Sequence, residues 1–165
     1  RFRIETPQPP TPRAMLEVIG QLIEHWNWKG KIGCGFPGVL KQGKVYTAAN
    51  LSKQWIGVNI KNQIEKISSC DTVVINDADS AGLAEMKFGA GKDYNNHGGG
   101  VVIMVTLGTG IGTALFVDGH LVHNTELGHI EIGGKDAEKH AAASVRERKD
   151  LSWKKWGHRV NTYLQ

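Results

Sequence analysis

Cysteine is scarce in this chain of 165 residues, which contains only Cys34 and Cys70. The two stand far apart and outside any Cys-x-x-Cys spacing, so the sequence excludes a disulfide framework and a zinc knuckle, and both are expected to be buried thiols. Long apolar runs are also missing, since none approaches the roughly 18 residues that cross a bilayer. The first ten residues contain no apolar signal-peptide core. These absences predict a cytoplasmic protein without a membrane partner.

The composition is that of ordinary globular material, with 40% hydrophobic and 22% charged residues. A formal net charge of +4 either attracts a polyanion, such as a phosphate chain or a nucleotide, or serves solubility alone. The chain starts with Arg1 inside the strand-like stretch RFRIE and stops at Gln165 in mid-pattern. We therefore expect it to be a piece of a longer protein.

Strands and helices alternate in the first half of the sequence. Four of the five prolines lie within residues 7–12, and Thr11 is expected to cap a helix that has Pro12 at its first position. The strand-like KIGCGFPGVL, the amphipathic GVNIKNQIEKI, the strand TVVIN and the helical SAGLAEMKF follow. TVVIN shows no polar alternation, which predicts a strand covered on both faces. This order predicts a parallel α/β sheet.

The pattern changes at GKDYNNHGGG, residues 91–100, which is expected to be a linker between domains spanning residues 1–97 and 98–165. Three strand-like runs with very short connections come next, VVIMVTL, TALFVDG and HLVHN. Short connections predict an antiparallel meander. The rest, from Lys135, is expected to be helical, with Ser152 capping the last helix.

The stretch VTLGTGIGTALFVDG, residues 105–119, places three alternating glycines between two predicted strands. It is neither a dinucleotide fingerprint, because Thr113 stands where the third glycine belongs and a strand follows, nor a Walker loop, because Gly-Lys-Ser/Thr is absent. Two interpretations remain open. The glycines either let backbone N–H groups approach an anion closely, with hydroxyls from Thr109 and Thr113, or they form a tight, bulged hairpin.

Carboxylates stand where a parallel sheet places its reacting groups. The segment Asn76-Asp77-Ala78-Asp79 follows the strand TVVIN, at the carboxyl end of which open α/β sheets bind ligands. Asp79 or Ser80 is expected to cap the next helix. A calcium loop is excluded because Phe88 stands at its twelfth position. Asp77 remains a candidate general base.

A second polar group, Glu126-Leu-Gly-His129-Ile-Glu131, follows the third meander strand. If residues 129–131 are extended, alternation puts His129 and Glu131 on one face. Carboxylates and an imidazole in fixed directions suit a ligand with many hydroxyls, although a lone histidine in a strand can be purely structural. A metal is the less favoured alternative here, because no His-x-x-x-His or His-Glu-x-x-His motif and no nearby thiolate is present, and none is expected.

Together these segments resemble the ROK family of sugar kinases and sugar-sensing repressors. LGTGIGTALFVDGHLVHNTELGHIEI resembles the family signature, and NDADSAGLAE its catalytic Asn-Asp segment. AANLSKQW, ELGHIEIGGKDAE and VRERKDLSWKKWGHRVNTYL are similar to the branch that uses polyphosphate, often alongside ATP. KDAEKHAAAS stands where many members carry zinc-binding cysteines, so the resemblance implies no zinc.

The resemblance implies an α/β, actin-like and ribonuclease-H-like fold of two lobes, incomplete at both termini. Residues 1–97 would be the remainder of the N-terminal lobe, and residues 98–165 the first part of the C-terminal lobe. A chain of this extent would lack half of its donor site and is expected to be inactive alone.

The implied activity is transfer of a phosphoryl group from polyphosphate or ATP, with Mg²⁺, to the 6-hydroxyl of glucose, whose proton Asp77 would take. The implied sugar contacts are Asn50, Asn76, Glu126, His129 and either Glu131 or Glu138. The implied phosphate contacts are Gly108, Thr109, Gly110 and Gly112. A basic tail either guides polyphosphate or is a solvated helix face, and it comprises Arg146, Arg148, Lys149, Lys154, Lys155 and Arg159.

Two alternatives stay open, a non-catalytic sugar-sensing repressor and a kinase for another hexose such as mannose. No nucleic-acid partner is expected, because no DNA-binding module is visible, and the full-length protein is expected to be a homodimer.

Overall fold

The computed structural model describes residues 2–49, 51–94 and 99–165. Backbone contacts divide the chain into two units, Arg1–Asp77 and Ala78–Gln165. The domain boundary after residue 97 stays a prediction. No helix in the described part of the chain is both long and apolar enough to cross a bilayer.

The first unit opens with helix α1, Pro12–His25. Its start follows the sequence, because Thr11 Oγ1 accepts a hydrogen bond from the Ala14 N–H at 3.3 Å and Pro12 has no N–H to leave unsatisfied. The strand predicted for RFRIE is wrong for residues 2–5, which pair with no strand. Phe2 instead stacks its ring on the imidazole of His25, with centroids 3.9 Å apart.

A parallel pair of strands lies in the first unit, as predicted. The elements that follow α1 are β1 Ile32–Phe36, β2 Leu40–Lys41, β3 Lys44–Val45, α2 Ile60–Ser68 and β4 Thr72–Asn76. β1 pairs with β4, and β2 pairs with β3 as a short hairpin. The prediction that both faces of β4 are covered is wrong, because Val73 on this strand is 58% exposed. The core gathers around Trp55, 1% exposed, whose indole N–H donates to the Pro10 carbonyl at 2.9 Å.

The predicted meander is confirmed in the second unit. Helix α3, Asp77–Phe88, leads to β5 Val101–Leu107, β6 Ile111–Val117 and β7 His120–Val122, which pair antiparallel in that order. α3 packs closely on β6, because a side chain at Gly82 would overlap the methyl group of Ala114.

The remaining elements are β8 Glu131–Ile132, β9 Lys135–Asp136, α4 Glu138–Ala141, α5 Ala143–Arg148 and α6 Trp153–Leu164. The helical prediction is wrong for Lys135 and Asp136, because Gly133 and Gly134, with φ of +58° and +74°, form a two-residue hairpin turn between β8 and β9. Ser152 does cap α6, accepting from the Lys155 N–H at 3.4 Å. One core cluster of this unit comprises Ile111, Ala137, Ala141, Ala142, Val145 and Tyr163.

Candidate functional site

The glycine turn, residues 108–110, joins β5 to β6 just beyond the last strand pair, Leu107 with Ile111. The Gly108 N–H donates to the Gly110 carbonyl at 3.0 Å. None of the glycines at 108, 110 and 112 has a φ in the left-handed region. Their backbone conformation is therefore open to other residues, and the reason for glycine must be space.

Protein groups explain two of these three glycines. A Cβ at Gly110 would overlap the carboxylate of Glu138, and one at Gly112 would lie 2.6 Å from Thr106 Oγ1 and 2.9 Å from Ala78 Cβ. A Cβ at Gly108 would meet nothing within 4 Å. The turn is thus packed against Glu138 at Gly110 and is open at Gly108, while Gly112 in β6 is packed against the start of α3.

Helix α5 holds the turn from one side through a residue that the sequence reasoning missed. The Ser144 N–H donates to the Gly108 carbonyl at 3.1 Å, and Ser144 Oγ donates to the Thr109 carbonyl at 2.6 Å. Nothing in the local pattern marks Ser144, since it follows a run of alanines and its partners lie 35 or more residues earlier.

The segment 126–129 is a 3₁₀ turn over Leu127–His129, entered through Glu126 at φ 46°. Two contacts seat it on β6. The Leu127 N–H donates to Thr113 Oγ1 at 3.1 Å, and a side chain at Gly128 would overlap the Ile111 carbonyl. Thr113 is 3% exposed and its hydroxyl braces this turn, whereas its role as a hydrogen-bond donor to phosphate stays a prediction.

Three carboxylates surround the imidazole of His129. Its Nε2 lies 3.6 Å from Glu126 Oε2, and its Nδ1 lies 3.5 Å from Asp136 Oδ2 and 3.9 Å from Glu138 Oε1. We call Glu126, His129, Asp136 and Glu138 the acidic cluster. Sequence reasoning missed Asp136, which the β8–β9 hairpin brings back towards His129.

Glu131 has no ion pair with His129 and is exposed on β8. The predicted alternation of His129 and Glu131 along one extended face is wrong, because residues 127–129 form a 3₁₀ turn. His129, Asp136 and Glu138 offer one donor atom each, all within 4.8 Å of one another. These residues could hold a cation, and the expected absence of a metal here stays a prediction.

Two predicted site residues stand at the end of β4. Asn76 is buried at 5% exposure and its side-chain Nδ2 donates to the Gly38 carbonyl at 3.3 Å. Asp77 is the exposed first residue of α3, so a solvent-borne group can reach its carboxylate. Asn50 lies outside the described residues.

The predicted cap at Asp79 or Ser80 is wrong, because α3 begins at Asp77. Asp79 lies inside the first turn, only 1% exposed. Its Oδ2 accepts from the Asn124 N–H at 3.0 Å and lies 3.7 Å from His123 Nδ1. This carboxylate fixes the backbone that leads from β7 to Glu126.

The basic tail is only partly available to a ligand. The Arg146 guanidinium stacks 4.1 Å from the Trp153 ring centroid, and Arg159 donates to the His140 carbonyl at 3.3 Å. Burial, and then the positive charges of Arg159, Lys135 and Lys149, lower the pKa of His140. Lys154 and Lys155 are exposed.

The prediction of two buried thiols is confirmed for Cys70, whereas Cys34 is only partly buried. Burial raises the pKa of the Cys34 thiol.

Known sequences and structures resemble this chain over nearly all of its length. A polyphosphate glucokinase of Mycobacterium tuberculosis is 44% identical over 165 residues, which cover 99% of this chain and 61% of the relative. The crystal structure of an inorganic polyphosphate/ATP-glucomannokinase from an Arthrobacter strain superposes with a TM-score of 0.91 at 41% identity, covering 99% of this chain and 66% of the other.

A more distant structure, a ROK family glucokinase from Streptomyces griseus in complex with glucose and AMPPNP, has a TM-score of 0.75 at 26% identity, over 89% of this chain and 51% of the other. The chain spans about three fifths of the length of the polyphosphate glucokinase of Mycobacterium tuberculosis. The family model named ROK matches residues 1–144. The chain belongs to the ROK family and has the actin-like α/β fold of its sugar kinases.

Proposed function

We propose that the full-length protein is a hexose kinase that transfers a phosphoryl group from polyphosphate, or from ATP, to the 6-hydroxyl of glucose. The names of the tuberculosis and Arthrobacter relatives support this substrate pair. The observation that carries the proposal is the contact between the acidic cluster and the glycine turn. The Glu138 carboxylate lies against Gly110 and 3.9 Å from His129, so groups suited to sugar hydroxyls adjoin a stretch of bare backbone.

In this proposal the acidic cluster and Asn76 orient the sugar, with Asn50 as a further expected contact. Carboxylates accept hydrogen bonds from sugar hydroxyls, and the imidazole and the amide can donate to them. We choose Glu138 over Glu131, because only Glu138 approaches both His129 and the glycine turn.

Asp77 is proposed as the general base. As the sugar O6 attacks the terminal phosphorus, the O6 proton passes to the Asp77 carboxylate and the bond from phosphorus to its bridging oxygen breaks. The products are glucose 6-phosphate and a polyphosphate shorter by one unit, or ADP. The glycine turn, together with Gly112 at the start of β6, would hold the transferred group, because this chemistry is mostly positioning and electrostatics.

Kinases of this type generally depend on a divalent metal, and we expect Mg²⁺, which shares the charge of the phosphoryl group. Mg²⁺ is usually held by one or two carboxylates together with substrate phosphates. The Glu138 carboxylate beside Gly110 fits that requirement. We further expect a cytoplasmic homodimer that uses neither zinc nor a nucleic-acid partner.

The test is a coupled assay on the full-length enzyme that crosses glucose and mannose with polyphosphate and ATP, together with Asp77→Asn. A positioned base contributes about 10²- to 10⁴-fold in rate, so Asp77→Asn should lose at least about 100-fold in kcat while glucose still binds in calorimetry. Asp71→Asn is the control, because this exposed carboxylate lies just before the other end of β4, where it pairs with Lys31 at 3.9 Å. If Asp77→Asn turns over as fast as the wild type, Asp77 is not the general base. If the wild type binds sugar but shows no turnover, a non-catalytic sugar sensor is favoured over a kinase.

A further inference from the structure

Two consecutive carbonyls of the glycine turn are held by one residue. Ser144 is the second residue of α5, and it donates through its N–H to Gly108 at 3.1 Å and through its Oγ to Thr109 at 2.6 Å. The Oγ distance is at the short end for a hydroxyl donor. The hydroxyl is therefore committed to the turn rather than to capping its own helix.

Peptide planarity determines what these bonds do to the opposite side of the turn. In a trans peptide the C=O and the N–H point in opposite directions. With the carbonyls of Gly108 and Thr109 directed at Ser144, the N–H groups of Thr109 and Gly110 point away from it. Neither N–H has a hydrogen-bond acceptor among the described residues. Adjacent N–H groups directed to one side form an anion-binding concavity.

Ser144 is well placed to impose this orientation. Its neighbour Val145 is 1% exposed, and Ala142, just before α5, is fully buried, so the helix start is fixed by the core of the second unit. The peptide between Thr109 and Gly110 ends at a glycine, which rotates more freely than other residues. The Gly108 N–H bond to the Gly110 carbonyl constrains the next peptide, and only the Ser144 hydroxyl constrains this one among the described residues.

We propose that Ser144 is a positioning residue for phosphoryl transfer, which holds the Thr109 and Gly110 N–H groups towards the transferred phosphoryl group. The inference rests on the proposed kinase function and deepens it. Ser144 touches neither substrate. It acts by preorganising two donors on the glycine turn, so that they need not reorient when charge develops.

Kinetics of the full-length enzyme provide the first test. Ser144→Ala removes one hydrogen bond from the turn and leaves the Ser144 N–H in place, so kcat should fall about threefold to tenfold with the KM for glucose unchanged. Ser144→Thr retains the hydroxyl and should restore kcat. Ser152→Ala is the matched control, because it removes the cap of α6 without touching the turn. It should lower the melting temperature and leave kcat unchanged.

The inference is overturned if folded Ser144→Ala keeps the kcat of the wild type, or if Ser152→Ala lowers kcat equally, since loss of stability alone would then account for the effect.

A binding readout separates this inference from the kinase proposal. In ¹⁵N-labelled full-length protein, titration with tripolyphosphate should shift the amide signals of Thr109 and Gly110, and the shifts should weaken in Ser144→Ala. Amides that ignore tripolyphosphate in the wild type would refute the positioning role. Amides that respond in a wild-type protein without kinase turnover would support the anion site and contradict the proposed function alone.

Discussion

Replacing Gly108 with alanine adds a methyl group on the side of the glycine turn that meets nothing within 4 Å. Its φ lies outside the left-handed region, so the new side chain brings no backbone strain. Such a replacement stabilises a protein by about 0.4–1 kcal/mol, because it restricts the unfolded chain. If that open face receives the phosphoryl group, however, the methyl group displaces it. A misplacement of about 1 Å can cost on the order of 100-fold in rate.

Gly112→Ala is the matched comparison, since it is the same substitution four residues away. Here the new Cβ would lie 2.6 Å from Thr106 Oγ1 and 2.9 Å from Ala78 Cβ, distances that force a packed neighbour to move. Overpacking of this kind costs about 1–3 kcal/mol. The two variants should therefore differ by about 1.4–4 kcal/mol in the free energy of unfolding.

Urea unfolding and a coupled kinase assay on the full-length variants measure both effects. We expect Gly108→Ala to be about 0.4–1 kcal/mol more stable than the wild type and about 100-fold slower, with an unchanged KM for glucose. We expect Gly112→Ala to be clearly destabilised. A fully active Gly108→Ala enzyme would show that no phosphoryl group approaches this face, and an undamaged Gly112→Ala protein would contradict the packing described at β6.

Two further predictions concern the second unit. Thr113→Val should lower the free energy of unfolding by about 1–3 kcal/mol, because the Leu127 N–H loses its acceptor. The control Thr162→Val, on the exposed face of α6, should change the free energy of unfolding by less than about 0.5 kcal/mol when both variants are unfolded with urea. Equal losses in the two variants would refute the role of the Thr113 hydroxyl in holding Leu127. His140 has a lowered pKa in the folded state, so on acidification the unfolded chain takes up its proton first. The stability that neutral His140 contributes should be fully present above the ordinary pKa of 6.5 and decrease as the pH drops below it. Melting curves recorded at several pH values should show a smaller decrease for His140→Gln. The same pH dependence in the variant and the wild type would contradict this role of His140.

Much of the fold follows from short-range pattern. The β-branched run before Asn76 and the short connections between β5, β6 and β7 predict the parallel pair and the meander that the structure has. Periodicity and capping report local preference, and in these elements tertiary packing agrees with it. RFRIE shows the limit, because a strand needs a partner strand for its hydrogen bonds, and residues 2–5 have none among the described residues.

The candidate site was less predictable, because its geometry depends on contacts between distant residues. Glu126 and His129 are neighbours in sequence and in space, but the choice between Glu131 and Glu138 depended on a hairpin turn at Gly133 and Gly134 that was not predicted. The role of Asp77 as a base stays a prediction.

β6 supports both halves of the proposed chemistry in the second unit. Its first residue, Ile111, ends the glycine turn and also carries the carbonyl on which Gly128 rests, and two residues later Thr113 secures Leu127. One strand would thus position both the sugar and the phosphoryl group. A one-residue deletion within that strand would carry both reactants out of place together, whereas changes in the loops alone would shift them separately.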